Sequence, residues 1–526
     1  MSVRRTASGR RRMSDAREWR PQYIGSVNFA RLLWDTAELM PSRVALRHGS
    51  VVCTFAELAG RAASVHETLA AAGLKPHDRV GILLPNGVDA AAAFFGTTSA
   101  GGIATVISVL ARPRQIEQLL SDAGANLLIT SRAVLNALPR ELTASVTILL
   151  TGGFSASGAI GPIEADDSAP AQISFTSGST GKPKGVVITH ANLRVGVRTV
   201  VDYLGITAAD RIASLLPFSF VYGFNQLNCA IATGATLEVI DTALAPEIVR
   251  TIASRECSVV AAVPPLWMQL LRVADFAVPM PALRVLTCAG GRLNPDGVRA
   301  VRSAQPHAKL FLMYGLTEVF RSTYLAPDEV DAHPDSMGRA VPGSRVYVLR
   351  EDGTACDDGE VGELVHAGPT VTAGYWGDAD ATARVFRQNS FASPDEPVLA
   401  RAVHSGDLVR RDAEGRLYYV GRQDRMIKTL GFRVSPDEVT DVIHASGLVA
   451  DAAVSTEPDA QRGERIVAHV VLREGQTIDA LRQWCGRELP RHMQPARWEL
   501  VEHLSRNSSG KHDLLALSRA NGRTDR

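Results

Sequence analysis

The chain has 526 residues, of which 45% are hydrophobic and 21% charged. This length predicts two or more domains, and the composition is typical of a soluble globular protein with sizeable cores. The 56 basic and 55 acidic residues leave a net charge of +1, which gives no indication of a nucleic-acid partner.

Two segments raise the question of export or membrane insertion. Residues 1–22 carry seven arginines and no apolar core of a signal peptide, so we expect a disordered basic arm. The uncharged stretch Ala90–Ala111 is long enough to cross a bilayer. Its glycines and hydroxyl residues instead favour a buried helix, a turn at Gly101-Gly102 and a buried strand, and we predict no membrane span. Six scattered cysteines without paired spacing predict reduced thiols in a cytoplasmic protein.

From about Phe29 to Ile240, helical patterns alternate with short apolar runs. Such alternation indicates an α/β architecture with parallel sheets. The predicted strands of this type are Arg79–Leu84, Leu127–Thr130, Val146–Leu150, Val259–Ala262 and Leu283–Cys288.

One loop within this region, from Ser174 to Gly185, has the composition of a phosphate-binding loop. Glycines permit close approach to a ligand, and hydroxyl and ammonium groups complete a cradle for phosphate oxygens. The candidate ligands are Ser177, Gly178, Ser179, Thr180, Gly181 and Lys182. A solvated Ser/Gly-rich connector is the alternative. A P-loop is excluded, because Thr176 replaces its first glycine and Pro183 its Ser/Thr.

From Arg345 onward the pattern changes to shorter strands separated by turn signals. Val346–Arg350, Asp352-Gly353 and Gly362–Ala367 predict antiparallel hairpin structure. A short strand at Leu417–Val420 precedes a polar break at residues 421–425, which predicts a linker before a small α+β unit. In that unit, Met426–Val434 predicts strand, glycine-centred turn and strand, and Ser435 to Glu438 predict a capped helix start.

Four further segments follow the phosphate loop in order. They are Tyr314–Glu318, Ser405–Leu408, Gly421–Gly431 and Asn507–Lys511. Together the five segments resemble the adenylate-forming superfamily, which includes acyl-CoA synthetases, peptide-synthetase adenylation domains and firefly luciferase. The resemblance extends from about residue 28 to 517 and is nearest to AMP-forming acyl-CoA synthetases and stand-alone adenylation enzymes.

The resemblance implies a mixed α/β fold and a division of the chain. A large N-terminal domain, residues 23–420, combines parallel-sheet α/β subdomains with a small β-barrel-like subdomain and binds ATP and the acid. A hinge at residues 421–425 joins it to a mobile α+β domain, residues 426–526. The implied reaction is attack of a carboxylate on the α-phosphate of ATP, which requires Mg²⁺ and gives acyl-AMP and pyrophosphate. A thiol then displaces AMP.

The resemblance also assigns roles in nucleotide binding. The loop residues would hold the β- and γ-phosphates, since such transfer depends on positioning and charge neutralisation. Tyr314 would stack on adenine beside Gly315, Thr317 would bond the α-phosphate, and Glu318 would ligate Mg²⁺, a hard cation that prefers oxygen. The other wall of the adenine slot matches Gly290, Gly291 and Arg292. A packed core aromatic is the alternative for Tyr314.

The resemblance assigns four further roles to residues from Asp407 onward. Asp407 would accept both ribose hydroxyls, supported by Arg422, although a solvated carboxylate is the alternative. Lys511 would bridge the attacking carboxylate and the α-phosphate, even though Ser505 and His512 depart from the commoner motif. Asp424 lies where the small domain would pivot between half-reactions. Gly431 would line the thiol tunnel, and Lys428 matches either the hinge or the tunnel.

The acyl pocket is expected at Pro217–Asn225. Amino-acid-activating members commonly place an Asp one residue after the aromatic that matches Phe220, but this chain has Val221. A buried ammonium would be left unpaired there, so we expect a neutral aliphatic, hydroxylated or aromatic carboxylic acid. Asn225 and Asn228 would add polar specificity or would be ordinary helix-surface residues.

Three hypotheses remain open. The first is an acyl-thioester ligase that uses coenzyme A. The second is a stand-alone adenylation enzyme that loads an acyl or aminoacyl group onto the phosphopantetheine of an acyl carrier protein. The third is a nucleotide-binding pseudoenzyme, which the presence of Lys511, Glu318, Asp407 and the phosphate loop argues against.

Overall fold

A computed structural model describes residues 28–139, 142, 145–156, 159–176, 183–293, 295–422, 427–434 and 436–504. The strands are β1 (Val44–His48), β2 (Val51–Thr54), β3 (Arg79–Leu83), β4 (Ile103–Ile107), β5 (Leu127–Thr130), β6 (Thr147–Leu150), β7 (Pro170–Thr176), β8 (Lys184–Thr189), β9 (Arg211–Ser214), β10 (Thr236–Val239), β11 (Val259–Ala262), β12 (Val285–Cys288), β13 (Lys309–Tyr314), β14 (Thr323–Leu325), β15 (Arg339–Ala340), β16 (Arg345–Leu349), β17 (Val361–Ala367), β18 (Gly374–Tyr375), β19 (Phe386–Gln388), β20 (Arg401–Arg411), β21 (Leu417–Arg422), β22 (Ile427–Thr429), β23 (Phe432–Val434), β24 (Val449–Asp459), β25 (Gly463–Leu472) and β26 (Arg497–Leu500).

Most helices occupy the connections between parallel strands. They are α1 (Arg31–Leu39), α2 (Phe55–Ala71), α3 (Val88–Ser99), α4 (Pro113–Ala123), α5 (Arg132–Asn136), α6 (His190–Leu204), α7 (Val221–Thr233), α8 (Ala245–Ser254), α9 (Pro264–Leu270), α10 (Pro295–Ala304), α11 (Ala379–Val385), α12 (Pro436–Ala445) and α13 (Ile478–Glu488).

Two sheets with parallel centres form most of the structure and confirm the predicted α/β class. One has seven strands in the order β18-β8-β7-β4-β3-β5-β6, and the other has nine in the order β15-β14-β13-β12-β11-β9-β10-β1-β2. Antiparallel strands lie at the edges of both: β8 and β18 in the first, and β2, β14 and β15 in the second. One hydrophobic core joins the two sheets through α3, α6 and α7.

Local sequence signals set the ends of the helices between these sheets. At the start of α6, Thr189 accepts a hydrogen bond from the Asn192 amide, and the Asn192 side chain accepts one from the Thr189 amide. This reciprocal pair satisfies two amides that the first turn leaves free. Helix α7 ends at Gly234, which has a φ of 73° and therefore adopts the left-handed conformation that glycine tolerates best. These ends fix where α6 and α7 meet the ends of the strands.

A third sheet is antiparallel, in the order β16-β17-β20-β19 with β21 beside β20. This sheet lies in the part of the chain for which a small β-barrel-like subdomain was predicted. The predicted hairpin strands pair as expected, Val346 opposite His366. Their connection is longer than a two-residue turn and is held by an ion pair between Arg350 and Glu360. Strand β21 continues to Arg422, so the chain remains extended for two residues beyond the predicted end of this strand.

A fourth sheet, in the order β23-β22-β25-β24 with β26 beside β25, forms the core of the C-terminal region with α12 and α13. This region contacts the rest of the chain. The Arg112 guanidinium donates to the Gly486 carbonyl (2.7 Å), and the rings of Phe220 and Phe432 meet edge to face with centroids 5.1 Å apart. The C-terminal region is therefore docked on the N-terminal one in this structure.

The long uncharged segment has the structure that the sequence predicted. Ala90–Ser99 lies in the buried helix α3, Gly101 and Gly102 form the turn, and Ile103–Ile107 is the buried strand β4. Within the described residues, no helix is both long enough and apolar enough to cross a membrane. All six cysteines are buried and free.

Candidate active site

A cavity of about 130 Å³ opens beside the carboxyl ends of β12 and β13. In open α/β sheets this edge is the usual place for ligands. The cavity is lined by predicted nucleotide-binding residues from separate parts of the chain, namely Gly290, Gly291, Arg292, Tyr314, Gly315 and Asp407. The structure thus brings together both walls of the predicted adenine slot and the predicted ribose ligand.

Tyr314 and Asp407 are directly connected. The Tyr314 hydroxyl donates a hydrogen bond to Oδ2 of Asp407, whose side chain is only 2% exposed. The solvated alternative for Asp407 is therefore excluded, and Tyr314 forms part of the cavity wall rather than only of a core. Asp407 lies opposite Arg422 in the register between β20 and β21. The side chain of Arg422 lies outside the described residues.

A second cavity, of about 370 Å³, shares Gly290 and Gly315 with the first. The two cavities therefore adjoin at these glycines. Thr317 and Glu318 lie in a short 3₁₀ helix on its wall. The Tyr375 hydroxyl donates to Oε1 of Glu318 (2.7 Å), which fixes the carboxylate on the wall of the larger cavity.

Glu318 fits the role of a magnesium ligand. Mg²⁺ usually takes one or two protein carboxylates and completes its shell with phosphate oxygens and water. Among the described residues there is no group of three or more acidic, histidine or cysteine side chains that could hold a metal ion by itself. A single buried carboxylate beside a phosphate site is the arrangement that magnesium bound with a nucleotide requires.

Basic side chains line the larger cavity in excess of acidic ones. They come from distant segments: Lys184, Arg321, Arg384 and Arg387. The acidic members are Glu318 and Glu363. Burial would raise the pKa of Glu363, but hydrogen bonds from His404 Nδ1 (2.8 Å) and the Gly406 amide (3.0 Å) hold it below its ordinary value. Glu363 is thereby kept ionised and paired with His404.

The predicted acyl segment forms one end of the larger cavity. Phe220 and Val221 line it where α7 begins. Further along α7, Asn225 is 2% exposed and Asn228 is fully buried. The helix-surface alternative for these two residues is therefore wrong. Asn225 lines an inner cavity of about 20 Å³ together with Tyr222, Gln226, Thr287 and Arg321.

The C-terminal region contributes to both cavities. Gly431, in the turn between β22 and β23, lines the larger one and lies against Val263 and Gly290. Lys428 lines the smaller one, with its ammonium 3.5 Å from the ring centroid of Tyr419. Lys428 therefore lies beside the predicted nucleotide site, and its role at the hinge or the thiol tunnel stays a prediction.

Several predicted site residues lie outside the described part of the chain. They are Ser177, Gly178, Ser179, Thr180, Gly181, Lys182, Asp424 and Lys511. Their roles remain predictions. Thr176 and Lys184, which flank the undescribed part of the phosphate loop in the sequence, line the larger cavity.

Sequence reasoning missed three of the cationic residues of the larger cavity, Arg321, Arg384 and Arg387. One signal was present for Arg321, because it is a charged residue only three positions after Glu318, following the apolar pair Val319-Phe320. Arg384 and Arg387 lie at the end of α11 and in β19, in a segment without a recognisable motif.

Comparison with known proteins identifies the family of this architecture. The model of the AMP-binding enzyme family matches residues 33–376, and that of the AMP-binding enzyme C-terminal domain matches residues 438–511. Delta-poly-L-ornithine synthetase of Acinetobacter baumannii is 30% identical over 95% of this chain, but the match spans only 37% of that protein. Sulfoacetate–CoA ligase of Cupriavidus necator is 30% identical over 88% of this chain and 92% of its own length.

Among solved structures, o-succinylbenzoate CoA synthetase of Bacillus subtilis matches in two states. The double mutant bound to a CoA product analogue has a TM-score of 0.82, with 25% identity over 93% of this chain and 98% of that one. The same synthetase with its acyl-adenylate intermediate has a TM-score of 0.67, with 26% identity over 92% and 97% of the two chains. Identity and coverage are nearly the same in the two matches, and the TM-score is higher for the CoA-analogue state. The arrangement in this structure matches the CoA-analogue state better.

Proposed function

The chain belongs to the AMP-binding enzyme family, and on that premise we propose that it activates a carboxylic acid without an α-ammonium group as acyl-AMP and transfers the acyl group to coenzyme A. The family establishes acid adenylation. The nature of the acid and of the thiol is our proposal, and it is argued from the cavities.

The observation that carries the proposal is that the two cavities adjoin at Gly290 and Gly315. The nucleotide cavity, with Tyr314 and Asp407, lies on one side, and the acyl cavity lies on the other. An acid and the α-phosphate of ATP placed in them would meet at this junction. Holding two reactants in contact removes much of the entropic barrier to a bimolecular step.

The residues around the junction suit the adenylation step. Asp407 would accept the ribose hydroxyls, and Tyr314 would hold Asp407 while its ring covers the base. Thr317 would donate to the α-phosphate as negative charge develops. Magnesium bound by Glu318 would neutralise phosphate charge, and Lys511 would bring a point charge to the attacking carboxylate. One acid–oxygen to phosphorus bond forms, and pyrophosphate leaves.

The acyl cavity argues against an α-amino acid. Val221 offers no carboxylate to a substrate ammonium, and of the acidic groups that line this cavity, Glu363 is paired with His404 and Glu318 is the ligand that we assign to magnesium. A buried ammonium without a partner is costly by several kcal/mol. We therefore do not propose ornithine, which appears in the name of one relative, as a substrate of this chain.

Two observations support coenzyme A as the acceptor. Sulfoacetate–CoA ligase has nearly the same length as the matched region, and the docked arrangement resembles that of the synthetase bound to a CoA product analogue. In this arrangement Gly431 lines the cavity that would hold the acyl-adenylate. A carrier-protein phosphopantetheine presents the same thiol arm and is the second candidate.

The test is carboxylate-dependent pyrophosphate release from ATP and Mg²⁺ over fatty, aromatic, hydroxy and amino acids, first without thiol. We expect release with non-amino acids. Addition of coenzyme A should then give the acyl thioester, whereas a phosphopantetheinylated carrier protein should give less. Release with amino acids alone would contradict the pocket argument, and transfer to the carrier alone would favour the second candidate.

A further inference from the structure

We propose that Arg321 binds a second anionic group of the substrate, so that the preferred acid carries a distal carboxylate or sulfonate in addition to the carboxylate that is adenylated. This inference rests on the proposed function and narrows its substrate class. It departs from the expectation of a neutral acid.

Arg321 is a buried cation inside the acyl site. Its side chain lines both the 370 Å³ cavity and the 20 Å³ inner cavity, and the residue is only 5% exposed. Within the described part of the chain, no carboxylate oxygen lies within 4.0 Å of its guanidinium, and its Nε has no hydrogen-bond partner. A guanidinium keeps its charge inside proteins and is rarely fully buried without a partner.

The groups that do contact Arg321 leave its charge uncompensated. Its Nη1 donates to the Phe320 carbonyl (3.3 Å), its guanidinium carbon lies 4.6 Å from the ring centroid of Tyr222, and the hydroxyl of the neighbouring Tyr203 donates to Sδ of Met313. Burial raises the pKa of both tyrosines, so their hydroxyls remain neutral. Burial likewise raises the pKa of the nearby Cys229 thiol to about 12.

The backbone just before Arg321 is strained. Phe320 has φ 60° and ψ −70°, and the Arg321 amide donates to the Val319 carbonyl (2.6 Å). These values describe a γ-turn of the rare, strained form. Strain of this kind persists where the surrounding structure enforces it, and such residues cluster at functional sites. The surroundings leave little freedom, since a Cβ on Gly315 would lie 2.7 Å from the Phe320 carbonyl oxygen.

Further polar atoms at the inner cavity lack partners. Oδ1 of Asn225 and both side-chain polar atoms of Gln226 are buried without a hydrogen-bond partner among the described residues. Buried polar groups without partners are uncommon and call for an explanation such as a ligand. The amide donor of Gln226 and the guanidinium of Arg321 suit an oxyanion, and the inner cavity has room for about one oxygen atom of it, so that the rest of the head group would lie in the larger cavity that Arg321 also lines.

A carboxylate or sulfonate head group matches this set. Guanidinium and carboxylate form parallel charge-assisted hydrogen bonds, which are about twice as strong as neutral ones. A site built to pair a substrate group rejects the analogue that lacks it, because its own buried groups are then left unpaired. The selectivity should therefore appear as a preference for the distal charge rather than for a particular shape.

The experiment compares acids that differ only in that distal charge. Pyrophosphate release is measured for the wild-type enzyme with succinate and succinamate, glutarate and glutaramate, and isophthalate and 3-carbamoylbenzoate. We expect kcat/KM for the better diacids to exceed that of their monoamides by about a hundredfold or more. Equal or lower values for all three diacids would overturn the inference without the need for a variant.

The residue is tested with Arg321→Met, which removes the charge at similar length. We expect it to reduce the diacid-to-monoamide ratio about a hundredfold and Arg321→Lys to reduce it less, with thermal unfolding midpoints as the check on folding. Arg198→Met is the matched control, since Arg198 is 63% exposed on α6 and pairs with Asp202; it should leave the ratio unchanged. Equal loss with diacids and monoamides in Arg321→Met would place Arg321 on a group common to all acids and would contradict the proposal.

Different results would contradict the proposed function and the inference about Arg321. Release with monoamides and other non-amino monoacids in preference to diacids would leave the proposed function intact and remove this inference. Release with no acid in either panel would remove the proposed function and this inference together.

Discussion

Substitution of Gly431 by alanine should separate the two half-reactions. Gly431 has a φ of 80°, and a Cβ added there would lie 2.9 Å from Cβ and Cγ2 of Val263 and 3.0 Å from its Cγ1. Val263 immediately precedes α9 of the N-terminal region. The overlap therefore exists only when the C-terminal region is docked as in this structure.

The magnitude follows from two separate costs. A non-glycine residue in the left-handed region costs about 1–2 kcal/mol, whatever the arrangement of the domains. An extra carbon in a close-packed contact typically costs about 1–3 kcal/mol, and this part applies only to the docked arrangement. At about 1.4 kcal/mol for each factor of ten, the second cost corresponds to a slowing of about 5- to 150-fold.

The assay follows each step by itself. Pyrophosphate release in the first turnover reports adenylation, and rapid mixing of the enzyme and purified acyl-adenylate with coenzyme A reports thioester formation. Thioester formation should slow by that factor in Gly431→Ala, while adenylation should keep its rate. Gly475→Ala is the matched control, because Gly475 lies in the same region with a φ of 77° and open space around its Cβ position.

A double-mutant cycle tests the steric explanation. Val263→Gly removes all three atoms that the new methyl group would meet, so it should restore most of the thioester rate in the Gly431→Ala background. Equal slowing of both half-reactions, or slowing of the same size in Gly475→Ala, would refute the assignment of this arrangement to the thiol step.

Three further predictions concern other residues. Lys511→Ala should lower adenylation at least about a hundredfold and leave thioester formation from preformed adenylate largely intact; equal loss of both steps would count against its role. Asp407→Asn removes the carboxylate charge that Tyr314 contacts and that we assign to the ribose hydroxyls. The KM for ATP should therefore rise about tenfold or more, and an unchanged KM would place ribose elsewhere. Burial lowers the pKa of His366 to about 3, so the unfolded chain binds a proton there below pH 6.5 and the folded chain does not. The urea midpoint should fall as the pH drops from 6.5 toward 4, and it should fall less steeply in His366→Gln.

Strand positions were predictable where apolar runs are short and bounded by turns. Leu127–Thr130 and Val259–Ala262 have the bounds that the sequence indicated, because continuous hydrophobic runs of four residues fit a strand covered on both faces. The observed strand bounds differ from the predicted ones where the sequence pattern begins before the strand or stops short of its end. The run from Leu283 begins as a strand only at Val285, and β21 includes two residues that composition assigned to a linker.

The arrangement of the sheets was not readable in the same way. The strand neighbours β1 and β10 are almost 200 residues apart, and both sheets share one core. The pattern of apolar residues indicates that each strand is buried, but it does not indicate against which partner. The docking of the C-terminal region depends on single contacts such as Phe220 with Phe432, which no local pattern marks.

Residues of the smaller cavity could be predicted from motifs, whereas most contacts in the larger cavity could not, and the reason is physical. ATP is common to the whole family, so its ligands recur as motifs, and the structure brings Tyr314, Gly315 and Asp407 to one cavity. The acid differs between members, so its contacts are set by single residues without a motif. The absence of a carboxylate at position 221 argued against a substrate ammonium, and from this we expected a neutral acid.

The structure shows which charged side chains lie close together in space, and the sequence reasoning could not include this information. Arg321 lies 100 positions after Val221, yet both line the same cavity, and only the structure shows a cation there that has no carboxylate partner among the described residues. A relative of 30% identity that is named for ornithine can therefore share the scaffold with this chain even if the substrate of this chain carries an additional negative charge, as we propose. Whole-chain identity is dominated by the residues that build the two sheets, whereas the sign of the substrate charge depends on very few positions.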